Sequence, residues 1–467
     1  MKAMGNIAAM AVGVQMLLAG TLAMGREGNG GPKGVFHTDV PSCPYSLILG
    51  RPTTQAVTLR VLASADTEGF VRYWKEAGLC SNVTATLRFK GGEPADVVIG
   101  SLDSNSRYRY QFCHRSGSVG VFTPGSESMF HTQRLPGSTF AFTITADSHL
   151  DENTRPAIYR QTLLNALSDK PDFHIDLGDT FMTDKRRGRP LDAFPQYLAQ
   201  RYYFGQLCHS APLFLVLGNH DGEFGGRIED ATRMRKTYFP NPEPDTFYTG
   251  SANENYYAWE WGDALFVVVD PYRYSRANKG GSDPWGMTLG KTQYDWLART
   301  LRHSTARFKF IFIHQLVGGL DKAGRGGVEA ASLYEWGGHE KGGKDTFATN
   351  RPGWEKPIHA LLVETGVSAV FHGHDHFFAH QELDGIVYQL VPQPGHPGEG
   401  SVGQASNYGY CGGDSRPGTG YLRVRVSSTG TAVEFVRTTP ADDNRTSSAG
   451  SVACRYTIPA NTKGKIP

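Results

Sequence analysis

The chain has 467 residues, with 47 Lys and Arg against 45 Asp and Glu and a formal net charge of +2. That near-balance removes any electrostatic reason to expect a nucleic-acid or membrane-surface partner. The length exceeds what one compact core needs, so two domains are expected, and the 56 glycines, many in irregular stretches, predict sizeable loops.

Residues 1–24 read as an export signal: Lys2, an uncharged run, then small residues from Ala19 to Ala23. A membrane anchor is the alternative, but the run is weakly hydrophobic, and a spanning helix wants about 20 strongly apolar residues. No later segment is apolar enough over that length. The protein is therefore expected to be secreted or periplasmic, with no stable membrane span after signal removal. Residues 25–47 read as a polar linker containing "REGNGGPKG". Six cysteines (Cys43, Cys80, Cys113, Cys208, Cys411 and Cys454) in an oxidising compartment predict disulfides, with Cys411–Cys454 one candidate pair. None forms a Cys-x-x-Cys pair, which argues against a zinc–thiolate site.

From 48 to 134 the chain alternates with period two. "AVTLRVLAS", "TEGFVRYWKE", "VTATLRFKG", "ADVVIGSL" and "RYRYQFCHR" read as short strands separated by Gly, Asp and Ser turns. A small all-β sandwich is expected. "LDSNSRYRYQF", a Leu ahead of Tyr-x-Tyr, resembles the strand pair of a fibronectin type III-like module.

The pattern changes near 139, and a second domain is expected over 139–458. "TFAFTITADSH" reads as a strand and "RPAIYRQTLLNAL" as a helix, with Thr154 a candidate cap and Pro156 in the first turn. "PDFHIDLGDT" is a strand, "DAFPQYLAQRYYFGQL" a helix and "APLFLVLGNHD" a strand. "NYYAWEWGDALFVVVDP" predicts an antiparallel pair. "KTQYDWLARTLRH" is an amphipathic helix, "RFKFIFIHQ" a strand, "EKPIHALLVETG" a helix and "SAVFHGHDHF" a strand. "ELDGIVYQLVPQ" and "GYLRVRVSSTGTAVEFVRT" add later strands, and the polar "PADDNRTSSAG" reads as exposed. Strand–helix alternation predicts an α/β core with parallel strands plus antiparallel additions. Residues 272–292 and 318–356 are long, Gly-rich and poorly periodic, and are expected to wall a cleft.

Polar donors gather where these strands end. The first ends in Asp147 and His149, the second in Gly178 and Asp179, and the third in Asn219, His220 and Asp221. A later strand ends in His314 and the last in His374 and His376. Ligands of open α/β sheets bind beyond the carboxyl ends of strands, so these groups are expected at one sheet edge. Each pair alone is ordinary turn chemistry. Jointly they form an oxygen- and nitrogen-donor set without thiolate, suited to first-row metals. Seven donors exceed one tetrahedral ion and fit two ions sharing a carboxylate.

Asp-x-His, Gly-Asp, Gly-Asn-His-Asp, His, then Gly-His-Asp-His resembles the motif order of calcineurin-like metallophosphoesterases over roughly residues 139–440. With a fibronectin-like domain ahead of it, the chain is similar to the purple acid phosphatase branch and related exported bacterial phosphatases. The resemblance implies an α/β catalytic domain, an α/β/β/α sandwich of mixed sheets, preceded by the small all-β sandwich. It implies two divalent or trivalent metal ions (Fe, Mn or Zn). Asp147, His149 and His376 would hold the first, Asn219, His314 and His374 the second, and Asp179 would bridge. A hydroxide held by the metals would attack phosphorus in line. His220 would protonate the leaving group, with Asp221 positioning or polarising it. The purple branch carries an iron-binding Tyr three residues after the bridging Asp, where this chain has Met182, and it lacks a ligand like His149. The resemblance therefore does not extend to a coloured ferric centre.

A small-molecule phosphate ester is the expected substrate. Monoester hydrolysis is the first reading, with phosphodiesterase or nucleotidase action on the same site as the alternative. Arg273 and Arg276 are candidate phosphate contacts. The alternative from another class is a non-catalytic binding module with a structural metal site. His174, His359 and His380 read as packing or solvent-facing residues.

Overall fold

In the computed structural model the described residues are 35–186, 190–224, 228–251, 254–276, 283–439 and 450–460. The segment read as an export signal lies outside them. The N-terminal region is all antiparallel. Tyr45–Gly50, Val57–Ala63 and Ala95–Ile99 form one sheet. Thr67–Lys75 and Arg107–Ser116 lead the second, with shorter strands on either side. The alternation puts Leu59, Val61, Val71, Tyr110 and Phe112 into one shared core. The first strand begins at Tyr45, inside the stretch read as linker.

Two mixed sheets make up the rest. The six-stranded sheet runs in space Leu213–Leu215, Phe173–Asp176, Phe140–Thr145, Gly420–Val426, Gly430–Arg437, Ser451–Pro459. Its first three strands are parallel and the others antiparallel. The eight-stranded sheet carries parallel Ala264–Val268, Phe308–Phe312, Ala369–His372 and Ile386–Leu390 at its centre. Tyr257–Trp261 and Ala264–Val268 form the expected antiparallel pair.

"FAFTI" shows how sequence becomes layer. Phe140, Phe142 and Ile144 point into a core between the sheets, against Phe266, Phe310 and Phe371. Phe214 stacks on Trp259 of the facing sheet with centroids 4.0 Å apart. The outer face of the six-stranded sheet is covered by helices Pro156–Ser168 and Phe194–Cys208. Helix Lys291–His303 covers the other sheet, burying Tyr294, Leu297, Ala298 and Leu301 at helical spacing. Layers therefore run helix, sheet, sheet, helix. Pro156 opens its helix as expected, but Thr154 does not cap it: its hydroxyl donates to the Ser148 carbonyl, 3.0 Å.

The N-terminal sheet docks on helix Phe194–Cys208 through Arg201. This guanidinium is buried and donates to Ser46 Oγ at 3.0 Å and to the carbonyls of Ser46, Arg60 and Tyr238. All six cysteines are unpaired, so the Cys411–Cys454 expectation fails. Cys454 Sγ instead faces the Asp414 carboxylate at 3.6 Å.

Candidate metal centre

The donor-bearing strands do not share one sheet edge. Phe140–Thr145, Phe173–Asp176 and Leu213–Leu215 belong to the six-stranded sheet; Phe308–Phe312 and Ala369–His372 belong to the eight-stranded one. The two sheets pack face to face, and the carboxyl ends of these five strands meet. That corrects the single-edge expectation while keeping its donors together.

Two groups form there. Asp147, His149 and His376 bring one ligand atom each to within 4.8 Å of one another, and so do Asp179, His314 and His374. Two carboxylate oxygens tie the groups together. Asp179 Oδ2 lies 3.2 Å from His314 Nε2 and 3.7 Å from His149 Nε2. Asp147 Oδ1 lies 3.4 Å from His376 Nε2, 3.7 Å from His149 Nε2 and 3.8 Å from His314 Nε2.

Backbone strain concentrates here. Asp147, His149, Leu150, Asp179, Met182, His374 and His376 all have φ between 44° and 78°, a left-handed region that non-glycine residues rarely adopt. The glycines of the motifs have steric work. A Cβ on Gly178, itself at φ 95°, would lie 2.3 Å from Gly218 N, and one on Gly218 would lie 2.1 Å from Asp179 N. "GD" and "GNHD" are thus two backbones in contact, each needing the other bare.

Hydrogen bonds select the free nitrogens. His314 Nδ1 donates to the Leu177 carbonyl at 2.8 Å and His374 Nε2 to the Ala323 carbonyl at 2.7 Å. His149 Nδ1 meets the Asp151 carboxylate at 3.1 Å. Each bond fixes a tautomer and leaves the other ring nitrogen as a lone-pair donor. Gln196 and Gln200 hold the loops from behind. Gln196 Nε2 donates to the His149 and Thr180 carbonyls, and Gln200 Nε2 to Ser148 Oγ and the Thr180 carbonyl.

Asp147 Oδ1, His149 Nε2, Asn219 Oδ1 and His314 Nε2 are buried and without hydrogen-bond partners. Such orphans cost about 1–3 kcal/mol each unless something satisfies them. A set of two carboxylates, four imidazoles and an amide oxygen fits hard or borderline first-row cations. Electrostatics agree. Burial opposes charge on His314, but Asp179 and Asp147 outweigh it and raise its pKa to about 9. Burial pushes His374 down to about 4. The two buried carboxylates, Asp147 and Asp179, draw positive charge to the centre.

His220 and Asp221 separate. His220 Nε2 lies 3.9 Å from Asp179 Oδ2, and its Nδ1 meets Asp184 Oδ2 at 2.8 Å. Asp221 does not serve His220. Its carboxylate accepts four backbone N–H groups, from Gly218, Asp179, Thr180 and Phe181, at 2.7–3.0 Å. Burial first, then the charge of Asp179, raises its pKa to about 6. Asp221 is a clamp on the loop of Asp179, Thr180 and Phe181, and Asp184 takes the position expected of it. Asp184, the next acid after Gly-Asp in "GDTFMTD", was the available signal. Asp151, two residues after His149, is the other partner the motif reading passed over.

A cavity of about 590 Å³ opens beside Asn219, His220 and His374. Both long loops line it, through Tyr272, Pro284 and Met287 and through Leu320, Lys322 and Lys341. Arg273 is elsewhere, 3.9 Å from Glu229 in a separate depression, and Arg276 is exposed. His174 is buried between Thr143 and Thr145, as a packing residue.

A family model described as calcineurin-like phosphoesterase matches residues 140–378. Among solved structures, the chain is similar to PhoD at 14% identity, covering 90% of each chain with a TM-score of 0.64. It is also similar to the purple acid phosphatase PPD1 from yellow lupin (Lupinus luteus) seeds, at 15% identity, covering 90% of this chain and 74% of that one, TM-score 0.61. At these identities the likeness concerns the fold. No curated protein matches the chain.

Proposed function

This chain belongs to the calcineurin-like phosphoesterase family, and we propose that it is a phosphatase that hydrolyses small phosphate monoesters with two metal ions. The observation that carries this reading is the double ligand cluster, joined by Asp179 and Asp147 and edged by four orphaned donor atoms. Asp147, His149 and His376 would hold one ion, Asn219, His314 and His374 the other, with Asp179 between them. Iron, manganese and zinc all suit these donors. A bound metal pair supplies Lewis acidity toward the phosphoryl oxygens and lowers the pKa of water.

The chain's own residues do the rest. His220 lines the cavity where the alcohol would depart, and its Nε2 is the group placed to deliver a proton to it. Asp184 holds the opposite nitrogen. Asp221 keeps the backbone of Asp179 in its left-handed conformation. Gln196 and Gln200 hold the loops bearing His149 and Thr180. Export to the periplasm or medium belongs to the same reading and rests on residues 1–24.

The test is direct. Metal-stripped protein is reconstituted with manganese, zinc or iron and assayed on an aryl phosphate monoester and the matching diester. Turnover of the monoester that requires metal, and its loss in His314→Ala, is expected. Faster turnover of the diester would make the protein a phosphodiesterase. No turnover of either with any metal would favour a non-catalytic metal-binding module.

A further inference from the structure

We propose that the cavity beside His220 recognises a second anionic group on the substrate, through Lys322 and Lys341. The inference deepens the phosphatase reading and rests on it: the favoured substrate is a phosphate ester whose alcohol carries another phosphate or carboxylate.

Both lysines line the cavity that also contains Asn219, His220 and His374. At about 590 Å³ it is far larger than one phosphoryl group needs, so it also holds the alcohol. Among the described residues, neither ammonium has a hydrogen-bond or ion-pair partner. This is not for want of acids nearby, because those acids are already engaged. Asp321 Oδ1 accepts the backbone N–H of Ala323 and of Arg325. Glu335 is bound by Arg351 and the Leu289 N–H. Glu340 accepts from Trp285 Nε1 at 2.7 Å and from Thr346 Oγ1 at 3.0 Å. Asp283 has a partner of its own.

The third cation is engaged too. Arg325 Nη1 lies 3.5 Å from Asp375 Oδ1, and its guanidinium sits 3.8 Å over the Tyr408 ring. It holds the loop rather than a ligand. Two ammoniums therefore share the cavity with His220, and among the described residues neither is ion-paired although Asp283 and Asp321 line the same space. Lys322 precedes Ala323, whose carbonyl is fixed by His374, so its backbone is tied to a candidate metal ligand. Lys341 comes from the other part of the same long segment. Two exposed cations lining one cavity from separate turns suit an anion held some distance from the phosphoryl centre. Phe224, Tyr272, Met287 and Leu320 give the space between an apolar lining, which suits a carbon chain or ring linking the two anions.

A ligand ruler tests this. Metal-loaded protein is titrated by calorimetry with non-hydrolysable alkylphosphonates and with α,ω-alkylene bisphosphonates of matching, increasing length. At one length the bisphosphonate should bind about tenfold or more tighter, from the added ion pairs in a confined site. The preference should fall toward one in Lys322→Ala/Lys341→Ala. Equal affinities at every length, or a preference the double variant retains, would overturn the proposal. The corresponding phosphates are assayed in parallel for phosphate release. Lysine-dependent binding without release would leave the second-anion site standing and remove the phosphatase reading. Release without any bisphosphonate preference would do the reverse.

Discussion

His220 and Asp184 form an imidazole–carboxylate pair, Nδ1 to Oδ2 2.8 Å, although 36 residues separate them and Asp221 is adjacent in sequence. The pair leaves Nε2 of His220 on the side of the Asp179 carboxylate, 3.9 Å from Oδ2. An acid held this way matters most when the departing oxygen needs a proton. Asp184→Asn should therefore lower kcat on an alkyl phosphate by about tenfold or more, and on 4-nitrophenyl phosphate by no more than about threefold. Equal losses on both would show that Asp184 does not act through leaving-group protonation.

Asp221 is expected to behave differently. Four backbone N–H groups converge on its buried carboxylate. Asp221→Asn turns an acceptor into a donor facing amides and should cost about 2–4 kcal/mol of folding stability, measured by denaturant unfolding. Asp184, on the exposed side, should change stability by under about 0.5 kcal/mol when replaced by Asn. A fully stable Asp221→Asn protein with impaired turnover would restore its role in positioning or polarising His220.

Asp375 lies between two candidate ligands and points away from them. Its Oδ2 accepts Gly326 N–H at 3.0 Å and Tyr410 OH at 2.7 Å, fastening the loop whose Ala323 carbonyl orients His374. Loss of such outer partners costs about 10- to 100-fold in metal affinity. Asp375→Asn should weaken binding of one of two metal equivalents by that factor in a chelator-competition titration. Unchanged affinity for both equivalents would separate the loop from the metal centre.

His174 predicts an acid limb of stability. Burial lowers its pKa to about 3. The unfolded chain takes up this proton near about 6.5, whereas the native state resists it until about 3. The stability contributed by neutral His174 is thus complete above about 6.5 and declines as pH falls, by about 1.4 kcal/mol per unit. The advantage of the parent over His174→Gln should shrink by that slope between pH 6 and 4. Parallel stability curves for the two proteins would contradict the burial argument.

Much of the centre was legible because its donors follow apolar strands, where a carboxylate or imidazole is costly without a purpose. Asp147, His149, Asp179, His314, His374 and His376 gather in two groups, and Asn219 lines the same cavity as His374. Helix Lys291–His303 and the pair around Trp261 were legible from periodicity. What was hidden depends on contacts distant in the chain. That the donors come from two sheets is a fact of packing, invisible to a strand-by-strand reading. Asp221 looked like the partner of His220 because they are neighbours, yet consecutive side chains in a turn diverge, and three of the four amides it binds lie about forty residues away. Thr154 had the right residue type for a cap, but the Ser148 carbonyl won its hydroxyl. Ser451–Pro459, pairing with Gly430–Arg437, lies beyond a polar segment that masked it.

Helix Phe194–Cys208 serves both halves of the molecule within six residues: Gln196 and Gln200 face the loops of His149 and Thr180, and Arg201 reaches Ser46 and Arg60. Excising the first 138 residues would strand a buried guanidinium at the root of that helix. The leading β-rich portion therefore underpins the candidate metal centre, and shortening the protein to its matched core would loosen the grip on the loops beside the candidate ligands.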